Sequence, residues 1–217
     1  GNEPEDPNLL AIIGDQDRGH NLLLELNDPR LVSPLRQHLL HLHSAVHGPW
    51  ERLRPSYNRV IRTEDTAIYL FPRLRRNIIA KKLLTVPSGS VLRLAVSHLN
   101  DRKIGATLRA VAARGVRIEI LAHDTERRVP QWVEEQLLES LTFRRYRHPQ
   151  GLPMHNKFIL IHTPQQREVL LGSMNLSVRS LYVNHELLLV SSNPLLVEAM
   201  ERRWHDMQNL LDESMTS

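Results

Sequence analysis

The chain has 217 residues, 41% hydrophobic and 24% charged, with Gly 9 and Pro 13. That balance supports one substantial hydrophobic core and excludes collagen-like, low-complexity and globally disordered classes. Cys is absent, so disulfides, thiolate metal sites and a cysteine nucleophile are excluded. No apolar run approaches the roughly 20 residues of a membrane span, and the opening GNEPEDPNLL lacks the basic-then-apolar order of a secretory signal. A net charge of +4 modestly favours an anionic partner: a phospholipid surface, nucleic acid or a phosphorylated metabolite. Basic clusters at Arg73, Arg75, Arg76, Lys81 and Lys82, and at Arg144, Arg145 and Arg147, read as ordinary faces of the fold, because few aromatics are interleaved with them.

In chain order, the polar opening and the turn-rich GDQDRG lead into a predicted strand over residues 21–26, ended by Asn27-Asp28-Pro29. A helix follows from Arg30 or Leu31 towards Ser44. Residues 48–66 carry Pro49, Pro55, Arg52, Arg54, Arg59 and Arg62 without clean periodicity, and read as a connector able to cover a groove. A short strand over residues 67–71 precedes Pro72. Ile78, Ile79, Leu83 and Leu84 then recur at helical spacing until Pro87-Ser88-Gly89. Clear alternation follows, with a strand at 91–96, a helix at 104–113 and a strand at 116–121 after the tight Arg114-Gly115 turn. Pro130 opens a helix ending near Leu141, and residues 142–146 form a strand before the loop RHPQG. Three more strands are predicted at 158–161, 169–171 and 187–190. Pro194 sits in the first turn of a terminal helix that reaches about Leu211.

Two distant segments repeat. His20-Asn21-Leu22-Leu23-Leu24 is echoed by His185-Glu186-Leu187-Leu188-Leu189, and Pro29, Leu31 and Val32 match Pro194, Leu196 and Val197 at the same offset. Each reads as a strand leading through a proline turn into a helix, the end of one structural repeat followed by one complete repeat.

The segment Gly151-Leu152-Pro153-Met154-His155-Asn156-Lys157 and the apolar run after it carry the most informative pattern. On an extended backbone His155 and Lys157 share a side, so an imidazole and an ammonium can converge on one phosphate while Phe158 and Leu160 enter the core. Gly172-Ser173-Met174-Asn175 follows the next strand. Ser173 and Asn175 can orient the histidine or hydrogen-bond phosphate oxygens, and Gly172 permits a close turn. Other histidines are weaker candidates. His43 and His47 share a helix face near His38 and His41, without the Cys or carboxylates of a metal site. His98 and His123 follow strands, where an α/β site forms or a histidine caps and packs, and His148 is placed to line the entrance beside His155.

This combination of His-x-Lys and Gly-Ser-x-Asn resembles the phospholipase D superfamily. Asn175-Leu176-Ser177-Val178-Arg179-Ser180, followed by Asn184-His185-Glu186, resembles its cardiolipin synthase and phosphatidyltransferase side. Arg114-Gly115-Val116-Arg117-Ile118 is similar to the helix-to-strand step before the motif. The resemblance implies an α/β fold, a phospholipase D-like α/β/α lobe with a mixed central sheet. It implies that His155 either attacks phosphorus to form a phosphohistidine or exchanges a proton opposite another histidine that does so. Lys157 would stabilise charge on the phosphoryl oxygens, Ser173 and Asn175 would shape the phosphate pocket, and Glu186 would orient a catalytic histidine. Arg179 reads as a structural ion-pair or hydrogen-bond former. Neither a metal nor another cofactor is implied.

The sequence departs from the family pattern at His162, where Asp is usual, and the interval from there to Gly172 is longer. Loss of that carboxylate can alter orientation or charge without removing the phosphate contacts of His155 and Lys157. Active members bring two His-Lys motifs together, from two halves of a chain or across a homodimer, and one is legible here. The expected organisation is residues 1–47 as the tail of a preceding phospholipase D-like lobe, 48–66 as a connector and 67–217 as the C-terminal catalytic lobe. The expected activity is hydrolysis of a phospholipid or other phosphodiester, or phosphatidyl transfer. The expected partners are an upstream catalytic lobe or second copy of the chain, and a peripheral membrane surface. A nuclease acting on nucleic acid, or a non-catalytic phosphate-binding or assembly module, are the alternatives.

Overall fold

The computed structural model describes residues 22–44, 48, 50, 53–74, 77–148 and 154–216. In chain order its elements are α1 (Pro29–Ser44), α2 (Pro55–Asn58), β1 (Val60–Arg62), β2 (Thr66–Leu70), α3 (Ile78–Leu84), β3 (Val91–Val96), α4 (Arg102–Ala112) and β4 (Arg117–His123). They continue as α5 (Gln131–Leu138), β5 (Thr142–Tyr146), β6 (Lys157–His162), β7 (Arg167–Gly172), α6 (Val178–Tyr182), β8 (Leu187–Ser191) and α7 (Pro194–Thr216). No helix among the described residues is long and apolar enough to cross a membrane.

The strands form one sheet in the order β1-β2-β8-β7-β6-β3-β4-β5. β3, β4 and β5 run parallel, joined by the crossover helices α4 and α5, and the other neighbours are antiparallel. Central strands such as VLRLAV in β3 and KFILIH in β6 are nearly continuous apolar runs because both faces of the sheet are covered. Alternation along β3 and β6 sends Leu92, Leu94, Ile159 and Ile161 to one face, against Leu83, Leu108 and Val133 of α3, α4 and α5. Phe158 and Leu160 point to the other, where Leu31 of α1, Tyr57 of α2 and Trp204 of α7 close the second core. The lobe is therefore α/β/α with a mixed sheet, as the resemblance implied. Asp101 begins α4 by accepting from Ile104 N–H at 2.8 Å, and Asn77, at φ 45°, begins α3 by accepting from Ala80 N–H at 2.9 Å.

The predicted strand at 21–26 is not formed. Residue 21 lies outside the described residues, and residues 22–28 take no regular structure. The sheet ends at β1 and β5 and offers this segment no ladder partner among the described residues. Its alternation survives all the same: Leu22, Leu24 and Leu26 face one pocket while Leu23 is 100% exposed. The two repeats therefore share their proline and helix but not their strand, since Leu187–Ser191 is held on both sides by β2 and β7. The stretch read as a connector holds α2 and β1, and β1 extends the sheet beside β2. A single helical turn and a three-residue strand are too short to show a period. The same brevity hides α6.

Much of the basic charge is used inside the fold. Arg73 is buried, donating to the carbonyl of Asn58 at 2.6 Å and lying over the Tyr69 ring. Lys82 pairs with Glu168 at 2.6 Å, Arg144 with Asp212 at 2.7 Å and Arg145 with Glu134 at 2.5 Å. Arg75 and Arg76 lie outside the described residues, as do His47 and residues 149–153, which include the end of the RHPQG loop.

Candidate active site

Antiparallel pairing of β6 with β3 and β7 gathers four strand ends on one rim of the sheet. Val96 lies opposite Lys157, Phe158 opposite Leu171, and Gly172 opposite Leu188. The start of β6, the ends of β3 and β7 and the start of β8 thus meet. This rim lies at the C-terminal ends of the parallel strands, where open α/β sheets bind ligands.

On that rim Lys157 Nζ donates to His155 Nε2 at 2.9 Å and to the His155 carbonyl at 3.0 Å. An ammonium has no acceptor to offer, so while Lys157 is charged the Nε2 lone pair faces it and the ring proton sits on Nδ1. Burial, then the adjacent Lys157 charge, lowers the His155 pKa to about 4. Burial also lowers Lys157, to about 8, against the opposing pull of the Glu186 carboxylate. At neutral pH the pair is a neutral imidazole beside a partly desolvated cation, an arrangement suited to an oxyanion arriving next to a nucleophilic nitrogen.

Glu186 is fixed by three donors: Ser180 Oγ at 2.9 Å, Asn184 Nδ2 at 3.2 Å and the hydroxyl of Ser173. Ser173 Oγ in turn accepts from Leu187 N–H at 3.0 Å. Its single proton is committed to Glu186, so in this arrangement Ser173 positions the carboxylate and has no proton left for a phosphate oxygen. Glu186 acts on Lys157 through its charge. Gly172 is needed here for space: a Cβ at that position would overlap the carbonyl oxygen of Leu187, which accepts from Ser173 N–H at 3.1 Å.

Asn175 lines, with Ser97, His98 and Lys157, a separate cavity of about 20 Å³. Its side chain favours the protonated form of His98, yet Asn175 Oδ1 has no aligned hydrogen-bond donor. His98 bonds through Nδ1 to Ser97 Oγ at 3.1 Å, and Arg128 Nη1 reaches the same hydroxyl at 3.5 Å. Burial first and the Arg128 charge second hold His98 below the ordinary histidine range. Ser97 and Arg128 carried no signal in the sequence, because their role depends on the loops after β3 and β4 meeting. His98 carried one, its place just after a strand.

Other predicted residues lie apart. His162 ends β6, whose length at about 3.3 Å per residue puts it roughly 16 Å from Lys157. There His162 Nε2 lies 2.8 Å from Glu201 Oε1 on α7, in a contact too poorly aligned to be a hydrogen bond. Arg179 is exposed and its guanidinium makes no ion pair or hydrogen bond among the described residues; its carbonyl accepts from Val183 and Asn184 N–H at 2.9 Å. The expected structural ion pair is absent because the one-turn helix α6 points the side chain to solvent. His123 caps a turn, its Nδ1 accepting from Thr125 N–H at 3.1 Å. His148 is not among the residues lining the pocket beside His155. His38 packs edge-on against Tyr57 and His41 Nε2 meets Arg54 Nη1 at 3.1 Å. No cluster able to hold a metal occurs among the described residues.

Comparison with known proteins gives this geometry a family. Residues 87–208, more than half of the chain, match the model of the cardiolipin synthase, PLD-like domain. Among solved structures the fold is similar to Nuc, a phospholipase D family member from Salmonella typhimurium, with TM-score 0.56 and 19% identity over 67% of this chain and 96% of that one. It is also similar to NucT from Helicobacter pylori, with TM-score 0.51 and 16% identity over 67% and 96%. Polyphosphate kinase from Porphyromonas gingivalis gives TM-score 0.55 and 19% identity over 78% of this chain and 28% of that one. No curated protein sequence matches the chain. Such membership supports a phosphodiesterase-type function. The chain belongs to the cardiolipin synthase PLD-like domain family of the phospholipase D superfamily.

Proposed function

We propose that the protein cleaves or transfers phosphodiesters of phospholipids through a phosphohistidine on His155. The observation that carries this reading is the His155–Lys157 contact at 2.9 Å, a neutral imidazole nitrogen whose lone pair accepts from a cation. An incoming phosphodiester places a non-bridging oxygen on Lys157, whose ammonium has a proton to offer it and so releases Nε2. That nitrogen attacks phosphorus, the bond to the departing alcohol breaks, and the alkoxide takes a proton from an acid opposite His155. Water or a second alcohol then attacks phosphorus, gives its proton to the same group, and breaks the phosphorus–nitrogen bond. The acid is a second histidine, from an upstream lobe or a second copy of the chain. Glu186, held by Ser173, Ser180 and Asn184, keeps Lys157 charged as the site loses water. Asn175, which shares a small cavity with Lys157, supports the cation from the other wall of the site.

Lipid is favoured over nucleic acid by the lining of the pocket of about 400 Å³ that His155, Lys157 and Ser173 share, whose other walls are leucines and Gly172. Release of head group or new phosphatidyl ester from phosphatidylglycerol vesicles is the test. His155→Ala abolishes turnover, and Lys157→Ala lowers it by about 100-fold or more, the scale of losing a cation at a developing oxyanion. Full turnover by His155→Ala, with binding of the same substrate unchanged, contradicts the reading.

A further inference from the structure

The segment before α1 takes part in neither core ladder nor chemistry, yet it stands over the site. Leu22, Leu24 and Leu26 line one side of the pocket that opens on His155 and Lys157, opposite Leu171, Leu187 and Leu189. Leu24, Leu26 and Leu189 also line a second space, of about 660 Å³. The two spaces thus share a leucine wall and lead away from the phosphate position. In the second, the charged neighbours are chiefly carboxylates. Asp65, hydrogen-bonded to Asn193, Thr66 and Thr63, is held below the usual carboxylate range, and Arg30 is occupied by Asp28 at 2.8 Å and Glu64 at 2.7 Å.

We propose that Leu22, Leu24 and Leu26 form a specificity-determining strap that selects phosphodiesters carrying an apolar arm. This inference rests on the phosphate-binding reading of His155 and Lys157, and adds the surface that distinguishes one ester substituent from another. An alkyl or acyl arm leaving the phosphate loses water against the leucines, and the first space alone has the volume of an ordinary ligand pocket, about 300–1,000 Å³. A nucleic-acid strand following the same path would bring its next phosphates to Glu25, Asp28, Glu64 and Asp65, where like charges oppose it. Leu24 is 37% exposed, so a polar side chain there alters the wall and leaves the core intact.

Binding of inorganic phosphate and of methyl, butyl, hexyl and octyl phosphate, measured by calorimetry on the full chain, tests the strap. Affinity is expected to rise with chain length, by up to about fourfold per methylene while the arm stays inside the pocket. In Leu24→Ser and Leu26→Ser the rise flattens while inorganic phosphate binds as before; the melting temperature holds in Leu24→Ser and falls modestly in Leu26→Ser, whose side chain also packs against the core. Affinity independent of chain length, or a rise that persists in both variants, overturns the assignment. If inorganic phosphate does not bind and Lys157→Ala changes none of the affinities, the phosphate-binding reading fails, and the strap proposal with it.

Discussion

Lys157 spends its protons on two acceptors of one residue, the ring and the carbonyl of His155, and that economy sets the pH behaviour of the pair. In the proposed mechanism His155 attacks only as the neutral ring, which the fold maintains down to about pH 4. Lys157 binds an oxyanion only as the cation, which persists up to about pH 8. The profile of kcat/KM, which reports the free enzyme, is therefore expected to rise through about 4 with His155 and to fall as the second histidine that serves as acid loses its proton, and at the latest above about 8, where Lys157 loses its charge. A profile whose acidic limb lies near the ordinary histidine value, about 6.5, would show that His155 is not the titrating nucleophile. Lys157→Arg removes the loss near 8, because guanidinium stays charged, and leaves the limb set by the acid.

Strand ends, more than single side chains, decide where these groups meet. Gly172 closes β7 against β8 with no room for a side chain beside Leu187. Gly172→Ala is expected to destabilise the fold by about 1–3 kcal/mol, the usual scale of overpacking, and to lower kcat by displacing Ser173 and Glu186. Gly105→Ala makes the contrast. It lies within α4 where an added Cβ meets nothing within 4 Å, and gains about 0.5–1 kcal/mol. Thermal unfolding of both variants checks the pair, and equal effects would contradict the account. At the opposite end of β6, His162 faces Glu201. Restoring the family's carboxylate with His162→Asp sets two carboxylates together. Stability falls by about 1–2 kcal/mol, while kcat/KM stays within about twofold because the site is roughly 16 Å away. A large change in kcat/KM would place His162 in the catalytic machinery.

At the scale of the molecule, the α/β alternation from Val91 onward was legible because its strands and helices, the short α6 apart, are long enough to display their period, and His-x-Lys with Gly-Ser-x-Asn marked the rim. Leu22 to Leu26 misled because alternation reports which side chains share a face, whereas a strand also needs a neighbour to bond to. Asn175, Ser97, His98 and Arg128 come together only through loops after separate strands, which no local spacing announces. The sum is a lobe presenting a neutral imidazole beside a partly desolvated cation, which we propose act as nucleophile and oxyanion partner. The most direct test of that claim is to quench the protein during turnover of phosphatidylglycerol, map any acid-labile phosphoryl adduct by mass spectrometry, and record its native mass alongside. The account predicts an adduct on His155, lost in His155→Ala, in an assembly that supplies a second histidine. Sustained turnover with no adduct on His155, or an adduct unaffected by that substitution, would contradict it.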